Sequence, residues 1–345
     1  MSVANLKKFD SLQVFRGLAA FGVVIHHVAI STDALVSRIP VWLLAIFEHG
    51  FLGVDFFFVL SGFIIMSSHF DDDKSVTALK TYGIKRFVRI FPPYWPVSIA
   101  LILAYFVLPG MSQGTRGDFS WLSSLLLLPD TPPALSVAWT LIHELMFYMI
   151  FSLFFISSRL FLACVAGWIV AILAAVWLAG DVQFPPFFAR LLNPINLEFV
   201  MGMVVAYLAR GVANRLGVPL IVLGGVMLAG LWLWPFALEQ RVLFGLPFSA
   251  LVLGGILLER QGKLALPRTM VLMGDASYSI YLVHNPIVSL TSRLVTRMHS
   301  FTSWGLGMLV GVFASLVVGV LYHWFVEKPL IRLFRQFFKR TSVAQ

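Results

Sequence analysis

The amino-acid sequence predicts an all-α, polytopic membrane helix bundle with about ten transmembrane helices. Hydrophobic residues make up 59% of the 345 residues and charged residues only 12%, whereas a soluble domain carries about 25% charged residues. The mean hydropathy is +0.89. The apolar residues also gather into stretches of about twenty residues, which is the length that a helix needs to cross a bilayer.

Ten such stretches follow one another along the chain. The first comes after Lys7 and Lys8, but Arg16, His26 and His27 interrupt it. We therefore interpret it as a retained helix and not as a signal peptide. The expected spans lie near 12–30, 46–67, 87–108, 136–156, 160–179, 194–209, 217–235, 241–258, 274–296 and 303–326.

The basic residues are distributed unevenly between the loops. With both termini on one side, all but six of the 25 Lys and Arg residues fall on that side. Positive charge accumulates in cytoplasmic loops, so we expect both termini in the cytoplasm. The six basic residues on the other side are Arg38, Arg116, Arg190, Arg241, Arg293 and Arg297.

The rest of the chain does not predict a second domain. We expect one transmembrane domain over 1–345, embedded over about 12–326, with 121–129 too short to span and therefore interfacial or re-entrant. Basic residues among Leu and Phe in 327–345 predict an amphipathic cytoplasmic tail on the membrane lipids.

The bulk composition also bears on ligands. The net charge of +9 comes from basic residues between the apolar stretches and not from one patch, so we expect no nucleic-acid partner. The single cysteine, Cys164, excludes a multi-cysteine metal site, and we predict no metal.

The first helix carries the most informative spacing. Eleven residues turn an α-helix by roughly 1100° and raise it by roughly 16 Å, so Arg16 and His27 share a face, whereas His26 lies about 80° away. Ionisable residues at membrane depth are candidate functional residues. The alternative is that Arg16 reaches the interface and that the histidines are packed polar groups of the core.

Three further ionisable residues are expected at similar depth. Asp55 lies in the second span, Glu144 in the fourth and His284 in the ninth. A buried carboxylate needs a partner, and a histidine or arginine of a neighbouring helix is the natural one. Either a structural ion pair or a catalytic group would explain each of them.

Two arginines open the third span. Arg86 and Arg89 are three residues apart and so lie on one helix face at the cytoplasmic end. Pro92 and Pro93 are expected to break or kink the helix one turn later. Paired arginines suit bidentate binding of phosphate groups, although anchoring by positive charge is the alternative.

Six segments, spread from residue 15 to residue 329, resemble the acyltransferase-3 family of integral membrane acyltransferases. They are FRGLAAFGVVIHH, GVDFFFVLSGF, KRFVRIFPPYW, AWTLIHELMFY, ASYSIYLVHNP and WFVEKP. The resemblance is closest to the bacterial branch that O-acetylates exopolysaccharides. It implies transfer of an acyl group, usually acetyl from acetyl-CoA, to a hydroxyl of a saccharide or its lipid-linked precursor at the bacterial inner membrane.

The resemblance also implies roles for individual residues. The family's arginine and histidine of the first helix fall on Arg16 and His27, and its paired arginines fall on Arg86 and Arg89. The three arginines would hold the phosphates of acyl-CoA. His27 would act as a general base on the sugar hydroxyl or as a nucleophile that carries the acyl group.

The family's tryptophan-to-glutamate motif falls on Trp139 and Glu144. Many members have a second acidic residue at the next position, where this chain has Leu145. Either Glu144 or Asp55 could orient the imidazole of His27, and the sequence does not decide between them. Should His27 not act, the role would move to His284.

Two other classes of function share some of these features. A proton-coupled transporter or flippase also uses intramembrane His, Asp and Glu, but it predicts repeated halves, which are not evident in the sequence. A non-catalytic membrane scaffold would use the same groups as structural ion pairs. The six motifs in order favour the acyltransferase.

Overall fold

The computed structural model describes residues 9–107, 119–178, 183–233, 238–298 and 303–343. Within these ranges the chain is a bundle of helices without a strand, which confirms the predicted all-α class. The α-helices are α1 Asp10–Leu35, α2 Val41–Glu48, α3 Gly53–His69, α4 Val76–Val107, α5 Trp121–Leu126, α6 Trp139–Ser152, α7 Ser158–Trp177, α8 Pro186–Leu191, α9 Leu197–Gly211, α10 Gly217–Leu233, α11 Gly245–Arg260, α12 Arg268–Thr296, α13 Trp304–Tyr322 and α14 Lys328–Val343.

The helices correspond to the ten predicted spans. Eight helical segments among the described residues are long and apolar enough to cross a membrane. The other two predicted spans are α9, with only 15 residues, and α12, whose buried side chains include Ser277, Ser279 and His284. Both pack inside the bundle against α3 and α1, respectively. The protein is an integral membrane protein.

Helix α4 differs from its prediction in two ways. It begins at Val76, about three turns before the expected start, because its first turns carry basic residues that an apolar window leaves out. It also continues through Pro92 and Pro93, so the expected break is absent. Neighbouring hydroxyls support this stretch, since Tyr322 donates to the carbonyl of Pro93 (2.7 Å).

The helix pair α1 and α12 forms the centre of the bundle. The two helices run in parallel, as their contacts advance together from Gly17 beside Gly274 to Ser31, which donates to Ser292 (2.9 Å). A Cβ on Gly274 would lie 1.9 Å from the carbonyl oxygen of Gln13. Only glycine permits this approach of the two backbones, as is common between membrane helices.

Helices α3 and α9 meet through a second glycine contact. A Cβ on Gly62 would lie 2.0 Å from the carbonyl oxygen of Phe199, and a Cβ on Gly202 would lie 2.0 Å from that of Val59. Mutual contact of this kind fixes the register of the pair. It thereby sets the positions of the polar side chains of both helices.

The last described helix, α14, is amphipathic. Phe334 and Phe338 of α14 pack against Phe87 of α4, with ring centroids 6.4 and 6.1 Å apart. Leu333 and Phe337 are 60% and 61% exposed. Helix α14 therefore has one apolar side held on the bundle, while other apolar residues stay uncovered.

Candidate active site

Two histidines meet at the centre of the helix pair. His27 of α1 and His284 of α12 approach to 3.3 Å between Nδ1 of His27 and Nε2 of His284. Their ring centroids are 4.9 Å apart. His284 is fully buried, whereas His27 is partly exposed to an adjoining cavity.

The backbone partners of the two rings fix their tautomers. A carbonyl oxygen can only accept, so Nδ1–H of His284 donates to Tyr281 (2.7 Å) and Nδ1–H of His27 donates to Val23 (3.0 Å). The lone pair of neutral His284 then lies on Nε2, facing Nδ1–H of His27. In the same way, the lone pair of neutral His27 lies on Nε2, which is what a base or nucleophile needs.

His26 occupies a different environment. Its Nδ1 lies 2.6 Å from the carbonyl oxygen of Glu48, and its Cβ packs beside Gly50. His26 is not among the residues that line the cavity at His27. The two neighbouring histidines thus have different surroundings, while their ring centroids are 4.9 Å apart.

A cavity of about 260 Å³ lies on the N-terminal side of the histidine pair. We call it the arginine cavity. Tyr281 lines its inner end, with its ring centroid 5.6 Å from that of His284. Its basic lining residues are Arg16, Lys85, Arg86, Arg89 and Arg335.

The arginines of this cavity are held in different ways. The guanidinium of Arg89 lies over the ring of Tyr278 at 4.7 Å. That of Arg86 lies 5.5 Å from the ring of Tyr148. Nε of Arg86 is buried and has no hydrogen-bond partner in the described part of the chain. A buried donor without a partner is costly, so the cavity fits an anionic ligand such as a phosphate.

Glu144 also lies in the arginine cavity. Its Oε1 accepts hydrogen bonds from the hydroxyls of Ser61 (3.1 Å) and Tyr148. Among the described residues, the hydrogen-bond partners of His27 are Val23 and His284, and neither is a carboxylate. Glu144 therefore lines the arginine cavity and does not hydrogen-bond to the imidazole of His27.

Asp55 lies in a second polar cluster away from the histidines. Its carboxylate, fully buried, receives two hydrogen bonds from Arg241, at 2.7 Å from Nε and 2.6 Å from Nη2. Arg241 also covers the ring of Phe51 at 4.7 Å. The expected partner from another helix is thus an arginine, and the structure does not bring Asp55 into contact with His27.

Glu198 belongs to this second cluster and was missed in the sequence. It is fully buried beside Asp55. The sequence could have identified Glu198, because a carboxylate inside an apolar stretch such as α9 needs a polar or charged partner. The sequence gives less reason to select Arg241, because this residue lies at the end of a predicted span, where a single arginine is common.

A second cavity, of about 830 Å³, lies on the C-terminal side of the histidine pair. We call it the histidine cavity. His27 lines it, together with Ser31 of α1 and Asn285 and Arg293 of α12. The two cavities therefore lie at opposite ends of the α1 and α12 pair, with His27 and His284 between them.

A family model described as an acyltransferase domain matches residues 9–324. The chain belongs to the acyltransferase-3 family. It is 32% identical to the exopolysaccharide production protein ExoZ of Rhizobium meliloti (strain 1021), over 83% of this chain and 91% of that protein. No solved structure matches the chain.

Two further relatives are similar to this acyltransferase-3 chain. The acyltransferase MdmB of Streptomyces mycarofaciens is 28% identical, over 94% of this chain and 92% of the relative. The peptidoglycan O-acetyltransferase OatA of Listeria monocytogenes is 26% identical, over 94% of this chain and 56% of the relative. The protein is therefore a membrane acyltransferase.

Glu327 is a residue of the acyltransferase-3 motif WFVEKP to which the sequence assigned no role. It is 1% exposed and accepts hydrogen bonds from Arg89 (2.7 Å), Ser279 (2.6 Å) and Nδ1 of His323 (2.7 Å). The stretch His323–Glu327 is a π-helical turn, a feature frequent at functional sites. Glu327 fixes Arg89 at the wall of the arginine cavity.

Arg335 is a further residue that the sequence missed, and it lines the arginine cavity. It belongs to α14, whose predicted role was to lie on the lipids. Packing of the phenylalanines of α14 on α4 brings Arg335 to the cavity. No group of three or more His, Cys, Asp or Glu side chains that could hold a metal occurs among the described residues of this acyltransferase-3 protein.

Proposed function

We propose that the protein moves an acetyl group from acyl-CoA to a hydroxyl of a cell-surface saccharide or its lipid-linked precursor. Family membership makes the protein an acyltransferase. Two relatives are named for exopolysaccharide production and for peptidoglycan O-acetylation. Both names favour a saccharide acceptor, and the second favours an acetyl group.

The observation that carries this proposal is the arrangement of the two cavities around the histidine pair. Donor and acceptor would approach His27 from opposite ends of α1 and α12, so neither needs to pass the other. Between Arg16 and His27 the helix rises by roughly 16 Å, about half the hydrocarbon thickness. An acyl group could thus cross much of the membrane inside the protein.

The arginine cavity suits acyl-CoA as the donor. Its basic side chains include Arg16, Arg86 and Arg89, and planar guanidinium groups bind phosphate oxygens bidentately. The buried Nε of Arg86 would gain the partner that the described residues do not supply. Apolar side chains such as Phe57 and Leu141 line the same cavity and would accommodate the acyl end.

His27 would perform the proton transfer. Acyl-CoA supplies a thioester carbon, and the acceptor oxygen forms a bond to that carbon while the carbon–sulfur bond breaks. As a base, His27 would take the hydroxyl proton on Nε2 and pass it to the leaving thiolate, which yields the free thiol. As a carrier, Nε2 would form a bond to the thioester carbon while the carbon–sulfur bond breaks, which releases the CoA thiolate. The acceptor oxygen would then take the acyl group from Nε2, and the hydroxyl proton would restore the thiol of CoA directly or through solvent.

The remaining candidate residues would support this step. His284 would face Nδ1–H of His27 with its lone pair and help to stabilise an imidazolium. Glu144 would act on the donor within the arginine cavity, hydrogen-bonded by Ser61 and Tyr148. Asp55, bonded to Arg241, would hold α3 against the stretch Leu238–Phe244 that precedes α11 and not act on the reacting atoms.

The orientation of the chain follows from the same proposal. Acyl-CoA is available in the cytoplasm, so the arginine cavity would open there and the histidine cavity would face the other side of the bacterial inner membrane. Both termini would then be cytoplasmic, as the charge of the loops predicts. Reporter fusions placed after Gln345 and within 109–135 should report opposite sides, and agreement between them would contradict the orientation.

The direct test is analysis of acyl groups on the surface polysaccharide of cells with the gene, without it, and with His27→Gln. We expect acetyl esters only with the intact protein. Purified protein in nanodiscs should also transfer label from acetyl-CoA to that polysaccharide. Unchanged ester content after removal of the gene, together with no transfer in vitro, would refute the proposal.

A further inference from the structure

Two buried carboxyl groups and one cation meet where α3 and α9 begin. Asp55 lies in the first turn of α3 and Glu198 in the first turn of α9, and both side chains are fully buried. Arg241, whose side chain is 17% exposed, is the cation beside them. Two carboxylates and one guanidinium would leave one negative charge unbalanced, and an unbalanced charge inside a membrane protein is costly.

The hydrogen bonds of Arg241 show which carboxyl group balances its charge. Nε donates to Oδ1 of Asp55 (2.7 Å) and Nη2 donates to Oδ2 (2.6 Å), which is the bidentate geometry of an ion pair. Nη2 also donates to the carbonyl oxygen of Phe51 (3.4 Å). Asp55 is therefore the ionised partner of Arg241, and Glu198 is the carboxyl group left without a counter-charge.

The carboxyl group of Glu198 is buried without a donor. Neither Oε1 nor Oε2 has a hydrogen-bond partner in the described part of the chain. The acidic neighbour of this group is the carboxylate of Asp55. A carboxylate can only accept hydrogen bonds, whereas a protonated carboxyl group also donates one. A single proton between the two groups therefore supplies the missing donor and removes the unbalanced charge.

The surrounding elements do not supply a second counter-charge from their described side chains. Among these, the cation that acts on Glu198 is Arg241. Other titratable groups on the same and neighbouring elements are bonded elsewhere. They are His26 of α1, His49 before α3, His69 and Arg210 at the far ends of α3 and α9, His143 of α6, and Glu259 and Arg260 at the far end of α11.

We propose that Glu198 and Asp55 form a proton-binding site, in which one proton bridges the two carboxyl groups and is part of the folded structure. When this proton leaves to water, two negative charges face each other where α3 and α9 begin. Their repulsion opposes the close packing of the two helices. Helix α3 also carries Ser61, which donates to Glu144 in the arginine cavity (3.1 Å). The bound proton therefore helps to hold a wall of that cavity.

The first test follows the Tm of the purified full-length protein in detergent as the pH changes. Glu198→Gln keeps the shape of the neutral acid and carries a permanent amide donor, so it replaces the bound proton. Glu48→Gln is the matched control, because Glu48 is exposed and lies in the segment before α3.

The sign of the pH effect follows from proton counting. An unfolded glutamate releases its proton above a pH of about 4.3. The folded protein then binds more protons than the unfolded chain, so its stability falls as the pH rises. We expect the Tm of Glu198→Gln to exceed that of wild type by a margin that grows between about pH 5 and about pH 9, to about 2 °C or more. The Tm difference between Glu48→Gln and wild type should stay constant.

Replacement of Asp55 tests the same proton from its other partner. Asp55→Asn removes the counter-charge of Arg241, and Glu198 can then release the proton and balance the arginine. The double variant with Glu198→Gln leaves Arg241 without any counter-charge. Its loss of Tm should therefore exceed the sum of the two single changes.

Infrared spectroscopy keeps the proposal testable if the Asp55→Asn variants do not fold. The carbonyl stretch of a protonated carboxyl group should be present in wild type at neutral pH, weaker in Glu198→Gln and unchanged in Glu48→Gln. An equal stretch in wild type and Glu198→Gln would overturn the inference. So would a Tm margin that does not change with pH, or losses that simply add in the double variant. None of these results bears on the proposed function, because no substrate enters the measurements.

Discussion

Two single variants, His27→Gln and His26→Gln, distinguish a catalytic histidine from a packing one. They are well matched because the two histidines make similar hydrogen bonds. Each histidine donates Nδ1–H to one backbone carbonyl, of Val23 in one case and of Glu48 in the other. Loss of such a bond costs about 0.5–1.5 kcal/mol. The two variants should therefore lose similar stability, and only their activities should differ.

The expected loss of activity follows from the proposed role. Removal of a general base lowers the rate about 10²- to 10⁴-fold, which corresponds to about 2.7–5.4 kcal/mol of transition-state stabilisation. His27→Gln should show this loss, and His26→Gln should keep most activity because it does not line the histidine cavity. A covalent carrier would lose more, and labelled donor without acceptor would then leave label on wild-type protein.

The assay combines membrane expression, thermal stability in detergent and transfer of label from acetyl-CoA to the acceptor. Folded His27→Gln protein with near wild-type turnover would refute the reasoning. The role would then move to His284, whose Nε2 lies 3.3 Å from Nδ1 of His27. Equal losses in both variants would show that the pair acts through structure and not through chemistry.

Three further predictions concern the walls of the site. Replacing Arg86 and Arg89 together by lysine should raise the KM for acetyl-CoA in folded protein, because lysine keeps the charge but not the bidentate geometry. Unchanged kinetics with acetyl-CoA would contradict this prediction. Glu327→Gln should destabilise the protein by about 1–3 kcal/mol, since it removes the counter-charge of Arg89, which is 32% exposed at the cavity wall. Thermal unfolding should show a smaller loss when Arg89→Gln is added. Gly62→Ala should cost about 1–3 kcal/mol through its 2.0 Å contact, whereas Gly225→Ala, with open space around it, should change stability by less than about 0.5 kcal/mol.

Helical periodicity predicted what lies within one helix. The shared face of Arg16 and His27 and the different direction of His26 need only the turn of an α-helix. The ten apolar stretches likewise predicted ten helices. The search for apolar stretches placed the start of α4 too late, because amphipathic turns extend this helix before the apolar stretch begins.

Pairing between helices could not be predicted in the same way. Asp55 and Arg241 are 186 residues apart, and no periodicity connects two helices whose packing partner is unknown. The expectation that Asp55 meets a histidine or an arginine was open, and the packing of α3 beside the stretch Leu238–Phe244 that leads into α11 selected the arginine. The contact of Glu327 with Arg89, across 238 residues, was hidden for the same reason.

The buried charges divide into two kinds, and the difference indicates which ones face a ligand. Asp55 and Glu327 are each at most 2% exposed and each binds an arginine directly, so their charges are balanced inside the protein. The arginine cavity holds five basic side chains, of which Arg89 is the one paired with Glu327, and Glu144 is its acidic lining residue. This excess of positive charge in a partly apolar setting is costly without an anion. A polyanionic donor would remove that cost each time it binds, so affinity for the donor should fall steeply with salt if these side chains are what hold it.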